Sequence, residues 1–194
     1  MQDLFSLKGR TALITGGSRG IGKMIAEGFI AHGARVYISS RKAAACEQSA
    51  KELSSNGGVC IPLPMDSSTV DGAKALAAAY QSREPKLDIL VNNAGAAWLA
   101  PLEEFPEKGW DKVMDLNVKT PFFLTQALFG ALSKAGTGDR PAKVINVASI
   151  DGLSVNPQET YSYQASKAGL IHLTRRMGVR MIRDHIAVSA IAPG

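Results

Sequence analysis

The sequence predicts a doubly wound α/β fold, in which helices cover both faces of a parallel β-sheet. Short β-rich segments alternate with helical segments along almost the whole chain of 194 residues. Repeated alternation of this kind is typical of parallel sheets with crossover helices. The β segments are nearly continuous apolar runs, as expected of strands that are buried on both faces. Because no linker or internal repeat divides the chain, residues 1–194 are predicted to form a single domain.

Six segments share the apolar, β-branched composition of buried strands. They are Thr11–Thr15, Arg35–Ser40, Val59–Leu63, Leu87–Asn92, Lys143–Ala148 and Ile186–Ile191. Five intervening segments have the composition or the apolar spacing of helices. They are Ile21–His32, Lys42–Ser54, Thr69–Gln81, Lys108–Lys134 and Tyr163–Arg183. A polar stretch, Gly136–Pro141, is predicted to be a surface loop between the fourth helix and the fifth strand.

Composition restricts the class of protein. Apolar residues make up 45% of the chain and charged residues 20%, as in soluble globular proteins, and no apolar run approaches the roughly 18 residues of a membrane span. The first residues do not resemble a signal peptide, and Cys46 and Cys60 form no CxxC pair, so a reduced, cytoplasmic setting is expected. The net charge of +5 comes from scattered cations. This favours a solvated basic surface, or else an anionic ligand or an acidic protein partner, over nucleic acid. His32, His172 and His185 lack metal-ligand spacing, and no metal is expected.

A glycine-rich segment, Thr15–Gly22, joins the first predicted strand to the first predicted helix. Glycines permit a tight turn and a close approach to a pyrophosphate, and the helix N-terminus supplies free N–H groups. The sequence therefore predicts a Rossmann-type dinucleotide site, with a purely structural turn as the alternative. Gly17–Lys23 also matches the start of the phosphate loop of nucleoside triphosphatases. That loop needs a hydroxyl for Mg²⁺ at the next position, where this chain has Met24.

The end of the second predicted strand indicates which nicotinamide nucleotide is bound. NAD sites usually place an acidic residue there to hold the ribose 2′-hydroxyl, whereas this chain has Ser39-Ser40-Arg41-Lys42. Arg41 can face a 2′-phosphate with its planar, charged guanidinium, and Arg19 in the glycine turn can hold it from the other side. NADP(H) is therefore favoured over NAD(H).

These features belong to an ordered set of motifs that resembles the short-chain dehydrogenase/reductase family in its single-domain form. The set comprises Thr15-Gly-x-x-x-Gly-x-Gly22, Asp66, Asn92-Asn-Ala-Gly95, Asn117, Ser149, Tyr163-x-x-x-Lys167 and Pro193-Gly194. Because the motifs span almost the whole chain, the resemblance does not depend on any one of them. It implies an oxidoreductase that interconverts ketones and secondary alcohols, and a homodimer or homotetramer as the assembled form.

The resemblance implies a catalytic set of Asn117, Ser149, Tyr163 and Lys167. In this family the tyrosine carries the proton, the serine bonds the substrate carbonyl, and the asparagine holds a water that leads protons to the lysine. The chemistry agrees, because a phenol with a pKa near 10 becomes a better proton carrier beside an ammonium. Residues four apart lie on the same face of a helix, so Tyr163 and Lys167 are expected to be close to each other.

Tyr161 is the competing phenol. The residue four positions after Tyr161 is Ala165. Tyr161 therefore has no cation beside it and is expected to form a wall of the substrate pocket. The implied substrate contacts are Ser149, Tyr163, Trp98 and Tyr161.

The resemblance also implies cofactor contacts in the glycine turn, after the second, third and fourth strands, on the catalytic helix and at the last two residues. They are Gly16, Ser18, Arg19, Gly20, Ile21, Gly22, Ser40, Arg41, Asp66, Ser67, Asn93, Ala94, Gly95, Tyr163, Lys167, Pro193 and Gly194. Asp66 is expected to accept a hydrogen bond from the adenine amino group, with a helix cap as its alternative or additional role. Asn117 also has an alternative, that of a helix-interior amide bonding locally.

Within the family, Phe5–Gly22 and Gly109–Asn117 most resemble 3-oxoacyl-acyl-carrier-protein reductases, including the branch tied to rhamnolipid precursors. This implies an acyl-thioester ketone as substrate and acyl-carrier protein as a partner, with Arg140 and Arg183 as candidate contacts. The resemblance is diffuse, because steroid, sugar and xenobiotic reductases share most of these residues. A general alcohol, polyol or steroid dehydrogenase and a non-catalytic NADP-binding regulatory protein remain alternatives.

The chain departs from the family pattern in two places. Family members continue past Pro193-Gly194 with a substrate lid, helices and a seventh strand, so the fold is expected to lack these elements. The separation between Ser149 and Tyr163 is slightly long, so the loop Ile150–Tyr161 is expected to bulge around the substrate.

Overall fold

A six-stranded parallel sheet forms the centre of the computed structural model, which describes residues 4–55 and 57–194. The strands are β1 (Thr11–Thr15), β2 (Arg35–Ser39), β3 (Val59–Pro62), β4 (Ile89–Asn92), β5 (Ala142–Val147) and β6 (Ile186–Ile191). Their order is β3-β2-β1-β4-β5-β6, so the direction of winding reverses between β1 and β4. This is the doubly wound arrangement that the sequence predicts, and a crevice forms at such a reversal, outside the carboxyl ends of the strands.

Six α-helices connect the strands in the described part of the chain. They are α1 (Gly20–Ala31), α2 (Ala43–Ser54), α3 (Val70–Gln81), α4 (Glu107–Met114), α5 (Thr120–Ala135) and α6 (Tyr161–Met181). Successive strand residues point to opposite faces, so Ile14 packs with residues of α1 and α2, whereas Leu13 packs with Leu124 and Leu128 of α5. The two faces therefore hold two separate apolar cores, and the sheet that separates them is buried.

The long helix predicted over Lys108–Lys134 contains an irregular turn that the sequence does not reveal. A π-helical turn, Asp115–Lys119, lies between α4 and α5 without interrupting the helical path. Such a turn contains one extra residue, and no proline or glycine in Asp115–Lys119 marks its position in the sequence. The last helix begins at Tyr161 rather than Tyr163 and ends in a short 3₁₀ turn, Ile182–Asp184.

The remaining predictions for local structure agree with the model to within one or two residues, the usual uncertainty of an element's end. Gly136–Pro141 has no regular structure and joins α5 to β5 as expected. Across residues 4–55 and 57–194, no helix is both long and apolar enough to cross a membrane.

Candidate active site

A cleft of about 460 Å³ lies at the carboxyl edge of the sheet, where the strand order reverses. Its walls come from the glycine turn and from the segments that follow β2, β3 and β4. The lining residues are Gly16, Ser18, Arg19, Gly20, Ser39, Ser40, Arg41, Lys42, Met65, Asp66, Ser67, Asn93, Ala94, Gly95 and Leu116. Most of the predicted nucleotide contacts are in this group. Sequence reasoning missed Ser39, Lys42 and Met65, which are neighbours of predicted residues, and Leu116, which the π-helical turn carries into the cleft.

The glycine turn uses its glycines in two different ways. Gly16 and Gly20 have φ values of +67° and +53°, in the left-handed region where side chains other than glycine are strained. Gly22, another predicted cofactor contact, is not among the residues that line the cleft. A Cβ atom there would overlap the carbonyl of Gly16 and the side chain of Asn93. The absence of a side chain at Gly22 thus lets α1 begin in contact with the turn. The Nδ2 atom of Asn93 also binds the turn, because it donates a hydrogen bond to the carbonyl of Thr15 at 2.9 Å.

Ile21 is also absent from the cleft lining and is partly exposed on α1. Lys23, which the phosphate-loop interpretation would place on a phosphate, instead forms an ion pair with Glu52 on α2. The side chain of Met24 is exposed. The hydrogen bond from Lys23 lowers the pKa of the Glu52 carboxyl. The turn therefore lacks the lysine and hydroxyl arrangement of a nucleoside triphosphatase loop.

Three cations surround the end of the cleft next to β2. Arg19 stands at the N-cap position of α1, and Arg41 and Lys42 precede α2. All three are exposed, and none forms an ion pair with an acid in the described part of the chain. No acidic residue follows β2, so this end of the cleft attracts an anion.

Asp66 lies in the cleft wall after β3, but it does not cap α3. Its Oδ1 atom accepts a hydrogen bond from the backbone N–H of Ser68 at 3.0 Å. The N-cap of α3 is Thr69, whose Oγ1 accepts from the N–H of Gly72 at 3.0 Å. The helix-cap interpretation of Asp66 is therefore wrong.

Tyr163 and Lys167 lie one helical turn apart on α6 and are in contact. The Nζ atom of Lys167 is 5.5 Å from the centre of the Tyr163 ring and donates a hydrogen bond to the carbonyl of Val147 at 2.7 Å. Burial lowers the pKa of Lys167 to about 8. The Tyr163 hydroxyl forms no hydrogen bond with residues 4–55 or 57–194, whereas Lys167 is fixed by the end of β5.

Asn117 lies within the π-helical turn and is buried. Its side-chain amide forms both possible hydrogen bonds with the backbone of Ala96, each at 2.9 Å, and also donates to the hydroxyl of Ser166 on α6. The alternative interpretation of Asn117, as an amide that bonds only within its own helix, is therefore wrong. A Cβ atom on Gly95 would lie 3.3 Å from Asn117 Oδ1 and 3.8 Å from Lys167 Nζ, so these three residues meet at one point.

Ser149 follows β5 by two residues and begins a short 3₁₀ turn, Ile150–Gly152. Its hydroxyl accepts a hydrogen bond from the N–H of Asp151 at 3.2 Å. The N–H of Ile150 donates to the carbonyl of Pro193 at 2.9 Å, so the predicted cofactor residues Pro193 and Gly194 lie beside Ser149 and outside the lining of the cleft. The loop that follows extends without regular structure to Thr160.

Tyr161 and Trp98 lie apart from the nucleotide cleft. The Tyr161 hydroxyl donates to Glu159 at 2.8 Å, and this bond raises the pKa of the phenol. Tyr161 lines a separate hollow of about 570 Å³ with four other residues: Leu102, Phe105, Glu107 and Trp110. The Trp98 ring packs over Gly109, where a Cβ atom would be only 2.7 Å away, and lies 5.3 Å from the ammonium of Lys112.

Arg140 and Arg183 are at the opposite edge of the sheet from the cleft. Arg140 precedes β5 and Arg183 precedes β6, whereas Ser149 follows β5. Eight residues of strand and flanking chain lie between Arg140 and Ser149, which corresponds to a distance of roughly 25–30 Å. The pKa of Arg10 is lowered by burial and by the charge of Arg140, which places these two cations close together at the amino edge.

The histidines occupy structural or exposed positions. The Nδ1 atom of His32 is 2.7 Å from the carbonyl of Gly28 at the end of α1. His172 is exposed, and His185 adopts φ +57° at the turn before β6. Within the described residues, no group of three or more His, Cys, Asp or Glu side chains is placed to hold a metal ion.

Comparison with known proteins gives matches over nearly the whole chain. Residues 10–194 match the family model described as short chain dehydrogenase. The chain is 47% identical to the rhamnolipids biosynthesis 3-oxoacyl-[acyl-carrier-protein] reductase of Pseudomonas aeruginosa, over 100% of this chain and 75% of that one. It is 34% identical to gluconate 5-dehydrogenase of Gluconobacter oxydans, over 99% of this chain and 73% of that one. It is 37% identical to sorbitol dehydrogenase of Cereibacter sphaeroides, over 97% and 71%.

Solved structures give the same result. The Pseudomonas aeruginosa RhlG/NADP active-site complex superposes with a TM-score of 0.97 at 47% identity, covering 100% of this chain and 75% of that chain. The structure of L-sorbose reductase from Gluconobacter frateurii, complexed with NADPH and L-sorbose, superposes with a TM-score of 0.92 at 29% identity, covering 98% and 71%.

Proposed function

Because the chain belongs to the short-chain dehydrogenase family, whose members are oxidoreductases that act on CH–OH groups with a nicotinamide nucleotide, we propose that it interconverts ketones and secondary alcohols with NADP(H). The observation that carries the proposal is the contact between Tyr163 and the buried ammonium of Lys167 at the carboxyl edge of the sheet. A phenol held against a fixed cation, with its hydroxyl unbonded, is suited to proton transfer.

The cleft fits NADP(H). Gly16 and Gly20 adopt backbone angles that expose the turn and the start of α1 to a pyrophosphate, as dinucleotide sites require. Arg19 and Arg41 can form charge-assisted hydrogen bonds with a 2′-phosphate, and Lys42 adds a third positive charge. Asp66 lies in the wall where an adenine amino group can donate to it. The RhlG structure with NADP, at 47% identity, supports the same cofactor for this chain.

The nicotinamide, when bound, supplies or accepts a hydride. In the reducing direction, Tyr163 donates the phenolic proton to the carbonyl oxygen of the substrate, and Ser149 donates a hydrogen bond to the same oxygen. Lys167, with a pKa of about 8, is mostly protonated at pH 7 and stabilises the phenolate that remains.

Asn117 has two proposed contributions to this reaction. Its side chain holds Ala96 and Ser166, so it joins the loop after β4 to the helix that carries Tyr163 and Lys167. It also holds the water through which a proton reaches Lys167. The position of Pro193-Gly194 beside Ser149 suits contact with the nicotinamide end of the cofactor.

The proposed substrate is a 3-oxoacyl thioester, and an acyl-carrier protein is the proposed partner. Support comes from the name of the Pseudomonas aeruginosa relative at 47% identity. The gluconate and sorbitol dehydrogenases among the relatives favour a polyol as the second candidate substrate. Arg140 and Arg183 lie at the edge of the sheet opposite Ser149. We therefore expect an acyl-carrier protein that delivers substrate to Ser149 to bind at a surface other than the one around these two arginines. We further propose a single catalytic domain over residues 1–194, a homodimer or homotetramer, and a cytoplasmic location.

The decisive experiment compares two phenols on the same helix. NADPH oxidation is followed with a panel of acetoacetyl thioesters, polyol-derived ketones and steroid ketones, using the wild type, Tyr163→Phe and Tyr161→Phe. Loss of a proton donor lowers kcat by about 100- to 10,000-fold, and this loss is expected for Tyr163→Phe alone. Equal losses in the two variants, or no loss in Tyr163→Phe, would contradict the proposed role. NADPH binding without turnover of any ketone would favour the regulatory alternative.

A further inference from the structure

We propose that Ser166 is a positioning residue, which connects the side chain of Asn117 to the backbone of Tyr163 and so keeps the phenol beside Lys167. The proposal rests on the ketone reductase function above and adds a residue that acts through Tyr163. Ser166 lies on α6 and is completely buried. Its hydroxyl forms two hydrogen bonds, one with Asn117 and one with Tyr163.

The backbone of Ala96 determines the direction of each hydrogen bond in this connection. The N–H of Ala96 donates to Oδ1 of Asn117, and its carbonyl accepts from Nδ2, each at 2.9 Å, so the amide has only one possible orientation. Nδ2 therefore donates its second hydrogen to the Ser166 hydroxyl at 2.9 Å. That hydroxyl has a single proton, which it donates to the carbonyl of Tyr163 at 2.7 Å. A continuous series of hydrogen bonds thus joins the loop after β4 to the backbone of Tyr163.

The first two turns of α6 have few other polar contacts that fix their position. The N-cap residue, Thr160, makes no side-chain cap bond, and residues 153–159 contain no helix or strand. Within the described chain, residues 161–168 form two hydrogen bonds beyond α6 and the loop before it. Lys167 donates to the carbonyl of Val147, and Ser166 accepts from Asn117. Lys167 is therefore fixed by the end of β5, and the turn that carries Tyr163 is fixed by the loop after β4.

The phenol of Tyr163 depends on this backbone bond because its own hydroxyl forms no hydrogen bond within the described residues. Its ring lies 5.5 Å from Nζ of Lys167, so the path of the helix decides where the proton donor stands. Without the Ser166 hydroxyl, one hydrogen of the buried Asn117 amide would lose its partner, which is unfavourable. The helix and the loop after β4 would then shift relative to each other, and a displacement of about 1 Å can lower a rate by roughly 100-fold.

The test compares two buried serines on the same helix. Ser162 is as buried as Ser166, but its hydroxyl has no hydrogen-bond partner among the described residues, so Ser162→Ala is the matched control. With acetoacetyl-coenzyme A and 5-ketogluconate as ketones, we expect kcat per folded enzyme to fall by about 10- to 100-fold in Ser166→Ala. The pH at which kcat falls to half its maximum should rise in this variant, because a phenol farther from an ammonium stays protonated to higher pH. Ser162→Ala should keep the kcat and the pH profile of the wild type.

A second comparison examines whether Ser166 acts through Asn117. Residues in one hydrogen-bond network have non-additive effects, so Asn117→Ala/Ser166→Ala should lose little more activity than Asn117→Ala alone. NADPH affinity should be nearly unchanged in Ser166→Ala, because Ser166 does not line the nucleotide cleft. Ser166→Cys keeps a weaker donor of similar size. It should lose less activity than Ser166→Ala, and it replaces that variant in every comparison if the alanine protein does not fold.

Labelling with 3-fluorotyrosine measures the position of Tyr163 without turnover. The fluorine resonance of Tyr163, assigned with Tyr163→Phe, should shift or broaden in Ser166→Ala and stay unchanged in Ser162→Ala. An unchanged resonance, an unchanged pH profile or additive losses in the double variant would overturn the inference and leave the reductase function standing. A resonance that moves in Ser166→Ala alone, with no turnover of any ketone by the wild type, would support the positioning role and refute the reductase function.

Discussion

The two halves of the site are built in different ways. The nucleotide half is made by consecutive residues of one turn, Thr15–Gly22, and by short segments that follow neighbouring strands. The catalytic half joins Asn117, Ser149 and Lys167, which come from a π-helical turn, a loop and a long helix. The first half depends on backbone shape, and the second depends on side chains that tertiary packing brings together. Substitutions should therefore damage the halves in different ways, and four predictions test this difference, from the largest expected effect to the smallest.

Gly22→Val should have the largest effect, because the added side chain would overlap the Gly16 carbonyl and the Asn93 side chain and open the turn. We expect the affinity for NADPH, measured by fluorescence titration, to fall by at least about 100-fold. Gly28→Ala is the control, since a Cβ at Gly28 meets no atom within 4 Å. It should bind NADPH normally and gain about 0.5–1 kcal/mol of stability. Normal binding by Gly22→Val would show that the backbone shape of the turn does not decide affinity.

Arg41→Ala tests whether the nucleotide half also depends on side-chain charge. Removing a charge-assisted phosphate contact costs about 1.5–3 kcal/mol, so the dissociation constant for NADPH should rise by roughly 10- to 100-fold while that for NADH changes little. Arg140→Ala is the matched control, because Arg140 lies at the amino edge of the sheet. Equal losses of NADPH and NADH affinity would show that Arg41 does not recognise the 2′-phosphate.

Lys167→Met separates activity from stability in the catalytic half. Burial lowers the folded-state pKa of Lys167 from 10.5 to about 8, so the folded protein is penalised below pH 8, and the penalty disappears as the pH rises toward 10.5. The variant should be inactive yet more stable than the wild type at pH 7. The expected gain is about 1–3 kcal/mol, a range that already subtracts the hydrogen bond lost between Lys167 and Val147. Urea denaturation at pH 7 and pH 10 measures this, and the gain should shrink at the higher pH. A gain that does not change with pH would contradict the desolvation of Lys167.

Thr69→Ala and Asp66→Ala give the smallest pair of effects. Thr69 caps α3 through Gly72, so its loss should cost about 1 kcal/mol of stability with little change in NADPH affinity. Asp66→Ala should do the reverse, weakening NADPH binding more than it lowers the melting temperature. Reversed outcomes would mean that Asp66 serves the helix and not the nucleotide.

The difference between the halves also explains what the sequence could predict. The glycine turn is local, so its position between strand and helix predicted the part of the cleft that Gly16, Ser18, Arg19 and Gly20 line. Tyr163 and Lys167 share one helix, so their spacing alone predicted their contact. The bonds of Asn117 to Ala96 and Ser166 depend on a π-helical turn and on packing between distant segments, which no spacing rule contains. The same limit applies to the close packing of Gly22 against Gly16 and Asn93, and to the distance of Arg140 from Ser149, which appears only when the strand direction is known.

The π-helical turn has a consequence for the tolerance of this chain to insertions and deletions. It carries one residue more than a regular helix of the same rise, so removing one residue between Asp115 and Lys119 would restore an uninterrupted helix. The residues before the deletion would then be rotated by about 100° relative to α5. Asn117 would face away from Ala96, and Leu116 would leave the cleft, while the apolar contacts of α5 with the sheet could persist. A single codon deletion at this point is therefore expected to break the bonds of Asn117 to Ala96 while α5 stays packed on the sheet, so the site depends on the length of this segment.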